Sequence, residues 1–296
     1  MSKFNMAGLA EDVRKIFKGS KLPDKVGTGN RLRQLTDKDF LKMPKWWVDA
    51  TKTPGLPYGA GVQLAGKTDS GKTSAALEAI KCAIEQDHGV IYIETENKTT
   101  ERDLLKKGID PSQVFIIRTT VSEEAFELLF STWDLFHKNY PNQPLLIVWD
   151  SFGNTVSQRD SELSMIDGKQ RPGGKGTANR LGLSKLISKF EQSSKVALLI
   201  VNYTYANIGA PGNKNAGGEA LGLLSSLIYQ TARRGWIEKT VKGEKVRLGA
   251  QVQWTLNKNH VFKDSPGPKQ VLLNITSDGI SYDGGSDEVS DEETEE

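Results

Sequence analysis

A glycine-rich loop at residues 66–73 constrains this chain more than any other feature of its sequence. It matches the pattern G-x-x-x-x-G-K-[S/T] and consists of Gly66, Lys67, Thr68, Asp69, Ser70, Gly71, Lys72 and Thr73. Residues 61–65 before it are typical of a short buried strand, and residues 74–83 after it have the apolar spacing of an alanine-rich helix. A loop between a strand and a helix points free backbone N–H groups and the positive end of the helix dipole at one place. The sequence therefore predicts a site that binds a nucleoside triphosphate.

Each residue type in the loop suits that task. Gly66 and Gly71 allow a tight turn and a close approach of the backbone to phosphate, and Lys72 supplies a positive charge to the outer phosphates. The Thr73 hydroxyl can bind Mg²⁺, and Ser74 completes the predicted nucleotide-binding set. The alternative is a structural glycine turn that binds nothing, but such a turn has no use for the Lys-Thr pair.

Composition sets wide bounds on the kind of protein. The chain has 296 residues, of which 37% are hydrophobic, enough for one large domain with a sizeable core. The single cysteine excludes an internal disulfide, and the three scattered histidines do not suggest a zinc cluster. No apolar run approaches the ~20 residues of a membrane span, and the N-terminus has no signal-peptide core. We therefore expect a cytoplasmic protein that does not enter the membrane.

The charge is unevenly distributed along the chain. Residues 287–296 contain seven carboxylates and no basic residue, so the formal charge of +2 for the whole chain leaves +9 on residues 1–286. A basic body with an acidic tail is common among proteins that bind nucleic acids, where the tail competes for the cationic surface or recruits partners. A tail that serves only solubility is the alternative.

The order of predicted elements indicates an α/β fold built around the phosphate-binding loop. Apolar strand patterns alternate with helical patterns up to about residue 202, which predicts a mostly parallel central sheet flanked by helices. After about residue 226 the pattern favours hairpins, which predicts an antiparallel β extension at the C-terminal side. The predicted strands are 61–65, 89–94, 114–117, 145–150, 196–202, 231–238, 250–256 and 269–275, and the predicted helices are 74–83, 101–107, 122–137 and 180–194.

Three regions follow from these patterns. Residues 1–50 form a basic N-terminal segment in which Leu9, Val13, Ile16 and Phe17 share one helix face, and that face must pack on its own domain or on a neighbouring subunit. We assign the main domain to residues 51–282 and a disordered acidic tail to residues 283–296.

Two long polar connections, residues 154–180 and 203–218, each follow a buried strand. Loops of this length in a compact domain are usually functional or disordered, and both leave the carboxyl edge of the predicted sheet, where ligands of open α/β sheets bind. Their basic residues and glycines suit a phosphate backbone, although disordered insertions are the alternative. The candidate DNA-binding residues are Lys169, Arg171, Lys175, Arg180, Asn207, Lys214, Asn215, Gly217 and Gly218.

Carboxylates at strand ends are candidates for hydrolysis. Asp150 ends a buried apolar strand, the position from which an acid can hold Mg²⁺ beside a phosphate loop, although it could also cap a helix. Glu94 and Glu96 end another strand on the same side of the chain, so their spacing does not decide which of them orients water. Lys258 and His260 follow a later strand and could complete a site, although such a segment is more often an ordinary strand end.

The ordered set of motifs resembles the RecA recombinase family over most of residues 5–280. The resemblance implies a RecA-like P-loop ATPase core, a bacterial cytoplasm or a phage-infected cell as its setting, and oligomerisation through residues 1–50, which match the segment that packs on the next subunit. The likeness rests on residues 66–73, the strand end at 94–96, Asp150 with Ser151, residues 201–205 and residues 216–218. Residues 150–154 and 202–205 are especially similar to the UvsX-type recombinases of large phages.

This resemblance implies roles for particular residues. Glu96 is the residue that activates the hydrolytic water, and the two polar loops are the DNA-binding loops. Lys258 and His260 reach the γ-phosphate on the adjacent protomer, and Tyr203 contacts the nucleotide where bacterial members usually have Gln. Further differences are His260 in place of a second lysine, and Asp103 where bacterial members have the tyrosine that stacks on adenine.

The function implied is a DNA-dependent ATPase that uses ATP and Mg²⁺, forms a helical homo-oligomeric filament on single-stranded DNA, and then pairs it with double-stranded DNA. It would catalyse homologous pairing and strand exchange in recombination and repair, with a single-strand-binding protein or a loader as a further partner. The alternatives are a hexameric helicase-like ATPase, and a RecA-fold recombination mediator or paralogue that binds ATP and DNA without exchanging strands.

Overall fold

The structure is a computed structural model that describes residues 5–20, 25–26, 35–163, 174–192, 195–206, 213–216, 218–242, 244–261 and 267–286. The chain separates into two compact units, residues 1–36 and residues 37–296. Among the described residues, no helix is both long and apolar enough to cross a membrane.

The first unit contains helix α1 (Met6–Ile16). The helix begins where the Asn5 side chain accepts a hydrogen bond from the Gly8 amide at 2.9 Å, and Arg14 near its end donates to the Val26 carbonyl at 2.8 Å. Leu9 and Ile16, two residues of the predicted apolar face, are exposed.

The second unit is an α/β domain built on one large sheet. Its helices are α2 (Lys45–Thr51), α3 (Lys72–Glu85), α4 (Glu101–Lys106), α5 (Ser122–Asn139), α6 (Gln158–Glu162), α7 (Gly174–Gln192) and α8 (Glu219–Leu224). Its strands are β1 (Phe40–Lys42), β2 (Gly55–Pro57), β3 (Ala60–Gly66), β4 (Gly89–Glu94), β5 (Phe115–Arg118), β6 (Leu145–Asp150), β7 (Val196–Ala206), β8 (Asn213–Asn215), β9 (Ser225–Val241), β10 (Glu244–Asn259), β11 (Gln270–Thr276) and β12 (Gly279–Ser286).

The sheet has the strand order β12-β11-β10-β9-β3-β7-β6-β4-β5, and β8 pairs with the end of β7. The strands from β9 to β5 are parallel, because each neighbouring pair among them runs in the same direction. β10, β11 and β12 continue the sheet in antiparallel fashion. This confirms the predicted fold class, a mostly parallel α/β sheet with an antiparallel extension at its C-terminal side.

Two apolar cores cover the two faces of the sheet. On one face α3 packs through residues such as Ala76 and Ile80, next to an aromatic group that includes Trp47 and Trp254. On the other face α5 and α7 pack through residues such as Leu129 and Leu186. Because β6 is buried on both faces, its six residues are almost all apolar, as expected for a central parallel strand.

The structure differs from the expected boundaries at several places, and β9 and β10 each extend beyond the predicted strands 231–238 and 250–256 at both ends. Residues 40–51 form β1 and α2 of the second unit, where Trp46 and Trp47 are buried, so the core includes residues before 51. α7 begins at Gly174 rather than near 180, and β7 continues to Ala206, so both connections are shorter than expected. β12 extends to Ser286 because it pairs with β11, so ordered structure continues beyond residue 282.

Candidate nucleotide site

The candidate site lies where four parallel strands end at one edge of the sheet. Gly66 ends β3, Glu94 ends β4, Asp150 ends β6, and Tyr203 lies near the end of β7. Glu94 is paired with Asp150, and Gly66 with Tyr203, so these residues stand at equivalent positions across neighbouring strands. The edge therefore brings the glycine loop and the predicted carboxylates together.

The loop of residues 66–73 connects β3 directly to α3. Gly71 has φ = +75°, a conformation that strains other residues, and helix α3 begins at the next residue. At Gly66 a Cβ atom would lie 2.2 Å from the Thr231 carbonyl oxygen, so only glycine fits there. The buried Ser70 hydroxyl donates to the Lys67 carbonyl at 2.7 Å and fixes the turn. This is the geometry of an anion-binding loop at a helix N-terminus.

Lys72 is buried and turned back onto the loop. Its Nζ donates to the carbonyls of Gly66 at 3.0 Å and Lys67 at 2.6 Å, and to the Ser70 hydroxyl at 3.2 Å. Burial lowers the pKa of Lys72 to about 8, while the nearby carboxylates oppose this shift. An incoming phosphate would offer this ammonium group a stronger acceptor than a carbonyl oxygen.

Thr73 and Asp150 form a second pair, with the Thr73 hydroxyl donating to Asp150 Oδ2 at 2.7 Å. Burial raises the pKa of Asp150 to about 6, although the hydrogen bond from Thr73 opposes the rise. A hydroxyl and a carboxylate oxygen are ligands that suit Mg²⁺, which keeps several waters and uses few protein ligands when it binds with phosphates. These two residues therefore fit the magnesium site expected from the sequence.

The structure distinguishes the two glutamates that strand alternation could not separate. Glu94 is buried, and its Oε1 accepts from the backbone amides of Glu96 at 3.2 Å and Lys98 at 3.1 Å. Glu94 therefore holds the turn that follows β4.

Glu96 instead presents its carboxylate to the cleft. Oε1 accepts from the Ser151 hydroxyl at 2.7 Å and from the Tyr203 hydroxyl, and Oε2 accepts from Lys98 Nζ at 2.6 Å. Burial tends to raise the pKa of Glu96, but hydrogen bonds from Lys98, Tyr203 and Ser151 outweigh it and lower the pKa. Glu96 is thus an ionised carboxylate beside the phosphate loop, and the geometry favours it over Glu94 for water orientation.

Two adjoining clefts open at this edge. One, of about 250 Å³, is lined by residues 68–74 together with Glu96, Lys98, Asp150 and Tyr203. The other, of about 510 Å³, shares Thr73 and Glu96 with the first and extends past Leu77 to Asp103 and Lys106. The smaller space suits phosphates, and the larger one suits a nucleoside.

Sequence reasoning did not single out Lys98 or Ser151 as contacts of Glu96. Ser151 was noted only as the neighbour of Asp150, and Lys98 lies two residues beyond Glu96 in a turn that the strand pattern does not describe. Asp103, which lies where bacterial relatives have the adenine-stacking tyrosine, forms a capping box with Thr100 at the start of α4.

The predicted trans cations do not line the clefts of their own chain. Lys258, on β10, donates to the Gly222 carbonyl at 2.7 Å, and His260 is exposed just beyond β10. Their predicted roles on an adjacent protomer remain predictions.

The predicted DNA-binding residues are only partly described. Lys169, Arg171, Asn207 and Gly217 lie outside the described residues, and only the backbone of Lys214 is described, in β8. The others occupy several settings. Lys175 donates to the Gly153 carbonyl at 2.7 Å, Arg180 is exposed on α7, Asn215 accepts from Gln230 at 2.7 Å, and Gly218 has φ = +78°.

Comparison with known proteins matches this architecture. No protein-family model matches the chain. Protein RecA of Malacoplasma penetrans (strain HF-2) is 29% identical over 224 residues, which cover 75% of this chain and 63% of that protein. The plasmid Protein RecA of Lactococcus lactis subsp. lactis is 27% identical over 236 residues, which cover 77% and 63% of the two chains. Protein RecA of Xanthomonas euvesicatoria pv. vesicatoria (strain 85-10) is 27% identical over 236 residues, covering 78% and 64%.

The chain thus spans less than two thirds of the length of these curated relatives. The α/β domain has a RecA-like core, and its similarity to proteins named RecA supports a relationship to the RecA family.

Proposed function

We propose that this protein is a DNA-dependent ATPase that assembles on single-stranded DNA and catalyses homologous pairing and strand exchange. The observation that carries the proposal is the convergence of the phosphate loop, the Thr73–Asp150 pair and the Glu96 carboxylate at one sheet edge. The two polar connections leave the same edge, after β6 and β7, and would carry the DNA.

The chemistry of ATP hydrolysis would be divided among these residues. Backbone N–H groups of residues 66–74 and the Lys72 ammonium group would bind the phosphates. Thr73 and Asp150 would hold Mg²⁺, which neutralises charge on the phosphate oxygens when bound. Glu96 would accept a hydrogen bond from the attacking water and orient it toward the γ-phosphate.

A neighbouring subunit would complete the site. Lys258 and His260 do not line the two clefts of their own chain, and their side chains would instead reach the γ-phosphate of the next protomer in a helical filament. The exposed apolar residues of α1 would pack on that neighbour. ATP binding would then favour assembly, and hydrolysis would weaken it.

DNA binding would depend mainly on phosphate contacts from the two connections. Such contacts are tolerant of sequence and weaken as salt increases, because bound phosphates release counterions. Single-stranded DNA would bind first and a duplex second.

The similarity of residues 150–154 and 202–205 to UvsX-type recombinases supports a phage-type member of this class.

The direct test is ATP hydrolysis by the purified protein with and without single-stranded DNA. We expect DNA to stimulate turnover strongly, and Glu96→Gln to abolish turnover while nucleotide still binds. An unchanged rate on addition of DNA would contradict the proposal. Glu94→Gln is not a matched control, because Glu94 holds the turn on which Glu96 sits.

Two other functions use the same core and are separated by a second assay. A recombination mediator would bind ATP and DNA but exchange no strands, whereas a helicase-like protein would form closed six-membered rings. Retention of both Glu96 and Lys258 favours the recombinase over a mediator, since a mediator can dispense with either. A strand-exchange assay with homologous linear duplex, together with electron micrographs of the DNA complex, distinguishes all three.

A further inference from the structure

Lys98 occupies a position that neither the sequence motifs nor the family resemblance assigns. Its Nζ binds Glu96 Oε2 at 2.6 Å, and it lines both the smaller cleft beside the phosphate loop and the larger one next to it. Its side chain nevertheless remains 68% exposed, so the ammonium group is held by one carboxylate and otherwise faces solvent in the cleft.

Hydrogen bonds within the turn hold the backbone of Lys98, whereas its side chain is largely exposed and can change conformation. The Lys98 amide donates to the buried Glu94 carboxylate at 3.1 Å, and the preceding Asn97 adopts φ = +55° in the same turn. The four-carbon stem of lysine can therefore swing its ammonium group across the cleft without any change in the turn.

The side chains that line the smaller cleft carry more negative than positive charge, so a second lysine there would favour the binding of a triphosphate. Among the described residues that line this cleft, the cations are Lys72 and Lys98, and the carboxylates are Asp69, Glu96 and Asp150. A triphosphate would enter a space in which carboxylates outnumber cations.

Lys98 occupies one hydrogen-bonding position of Glu96 Oε2 as long as it stays in place. The two oxygens of Glu96 accept three hydrogen bonds, of which those from Ser151 and Tyr203 come from residues at or near the ends of β6 and β7. Lys98 is the donor on a solvent-exposed, flexible side chain, so it is the one that a competing anion can remove.

We propose that Lys98 is a second phosphate-binding lysine of this chain, which releases Glu96 and moves onto the terminal phosphate when a nucleoside triphosphate binds. One movement then supplies a positive charge to the substrate and leaves Glu96 Oε2 free to accept a hydrogen bond from water. This inference rests on the proposed ATPase function.

The test measures the affinity of the full-length protein for two probes in the presence of Mg²⁺, the non-hydrolysable ATP analogue AMP-PNP and ADP. We expect Lys98→Ala to weaken AMP-PNP binding about tenfold and ADP binding less than about twofold, because the lost contact is a charge-assisted one to the terminal phosphate. Lys98→Arg should keep most of the affinity. Lys106→Ala is the matched control, since Lys106 lines the larger cleft but not the smaller one, and it should leave the ratio of the two affinities unchanged.

A double-mutant cycle separates this role from a structural one. Glu96→Gln removes a negative charge from the cleft in either background and also frees Lys98 where it is present, so it should tighten AMP-PNP binding by a larger factor with Lys98 than in the Lys98→Ala background. Equal losses for AMP-PNP and ADP, or no loss, in Lys98→Ala would overturn the inference and leave the ATPase proposal standing. If the unsubstituted protein binds neither probe, the proposed function itself fails.

Discussion

At the residue scale, the hydroxyl of Tyr203 is directed at the carboxylate of Glu96. Tyr203 also links this carboxylate to the hairpin of β7 and β8, because its carbonyl accepts from the Ala216 amide at 2.9 Å. At this position, for which the resemblance to bacterial recombinases implies Gln, the Tyr203 side chain reaches Glu96, the residue that we propose orients water. If DNA binding moved this hairpin, the hydrogen bond from Tyr203 would transmit the movement to Glu96.

Replacing Tyr203 with Phe tests this link. The substitution removes one of three donors to Glu96 and keeps the aromatic ring over which Lys72 lies at 5.8 Å. We expect the turnover measured without DNA to rise several-fold and the stimulation by single-stranded DNA to fall, because Glu96 is then less restrained. Steady-state ATPase rates with and without DNA measure both quantities, and unchanged values for both would contradict the link.

His88 provides a pH-dependent contact far from the nucleotide. Since the Gln86 carbonyl can only accept, Nδ1 of His88 donates to it at 2.9 Å, and Nε2 accepts from the Tyr58 hydroxyl at 2.6 Å. This arrangement needs a neutral ring, and burial lowers the pKa of His88 below its usual value of 6.5, although Asp87 opposes this.

Because the folded protein binds fewer protons than the unfolded chain below about pH 6.5, this contribution to stability is complete above that pH and is lost as the pH falls. We expect the melting temperature to decrease between pH 7 and pH 5, and the decrease to be smaller in His88→Gln. Thermal melts across this range measure it. The same slope in both proteins would show that His88 does not contribute.

At the element scale, the phosphate loop depends on its contact with β9 as well as on its own glycines. Gly66 faces the Thr231 carbonyl so closely that the Cβ of alanine would lie 2.2 Å from it. The Ser70 hydroxyl reaches the Thr231 hydroxyl at 2.7 Å, so β9 supports the loop from the side.

Gly66→Ala should therefore displace the loop and weaken nucleotide binding at least tenfold, with a loss of stability of about 1–3 kcal/mol from overpacking. Gly235→Ala is a suitable control, because no atom lies within 4 Å of its Cβ position and its substitution should be nearly neutral. Nucleotide titration and chemical denaturation of both variants give the comparison. A Gly66→Ala protein that binds nucleotide normally would show that the close contact does not matter.

Sequence analysis located most accurately the elements whose burial gives them a clear apolar pattern. β6 and the first part of β7 are continuous apolar runs, and α3 follows a recognisable loop, so their positions were predicted within a few residues. The ends were harder. β7 extends to Ala206 because its last three residues pair with β8, and such pairing depends on tertiary structure rather than on hydrophobic pattern.

For the candidate site, too, the sequence predicted some residues and left other contacts undetermined. The glycine loop, Asp150 and the pair of candidate glutamates follow from motif and strand position. The choice between Glu94 and Glu96, the bonds from Ser151 and Tyr203, and the place of Lys98 depend on how a turn folds over the sheet edge. Local sequence does not determine that arrangement, because the donors come from residues 55 and 107 positions away along the chain.

At the scale of the whole molecule, the positive charge lies on residues 1–286 and the last ten residues are strongly acidic. β12 ends at Ser286, so removal of residues 287–296 deletes no residue of a described strand. A truncation after Ser286 therefore tests the electrostatic role of the tail without removing a described strand of the domain.

We expect a chain that ends at Ser286 to bind single-stranded DNA more tightly than the full chain at moderate salt, and the difference to shrink as salt increases, since screening weakens competition by the carboxylates. Fluorescence anisotropy with a labelled oligonucleotide over a range of salt concentrations measures this. Equal affinities at all salt concentrations would reduce the tail to a role in solubility.

We propose that one chain supplies Glu96 and its neighbour supplies Lys258 to the same nucleotide. Mixing two inactive variants, each lacking one of these residues, tests this proposal. Glu96→Gln and Lys258→Ala proteins should each hydrolyse ATP poorly on single-stranded DNA. Mixed in equal amounts, they should recover up to about a quarter of the unsubstituted rate, because a random filament joins an intact Glu96 to an intact Lys258 at that share of its interfaces. A mixture no more active than its two components would contradict the account.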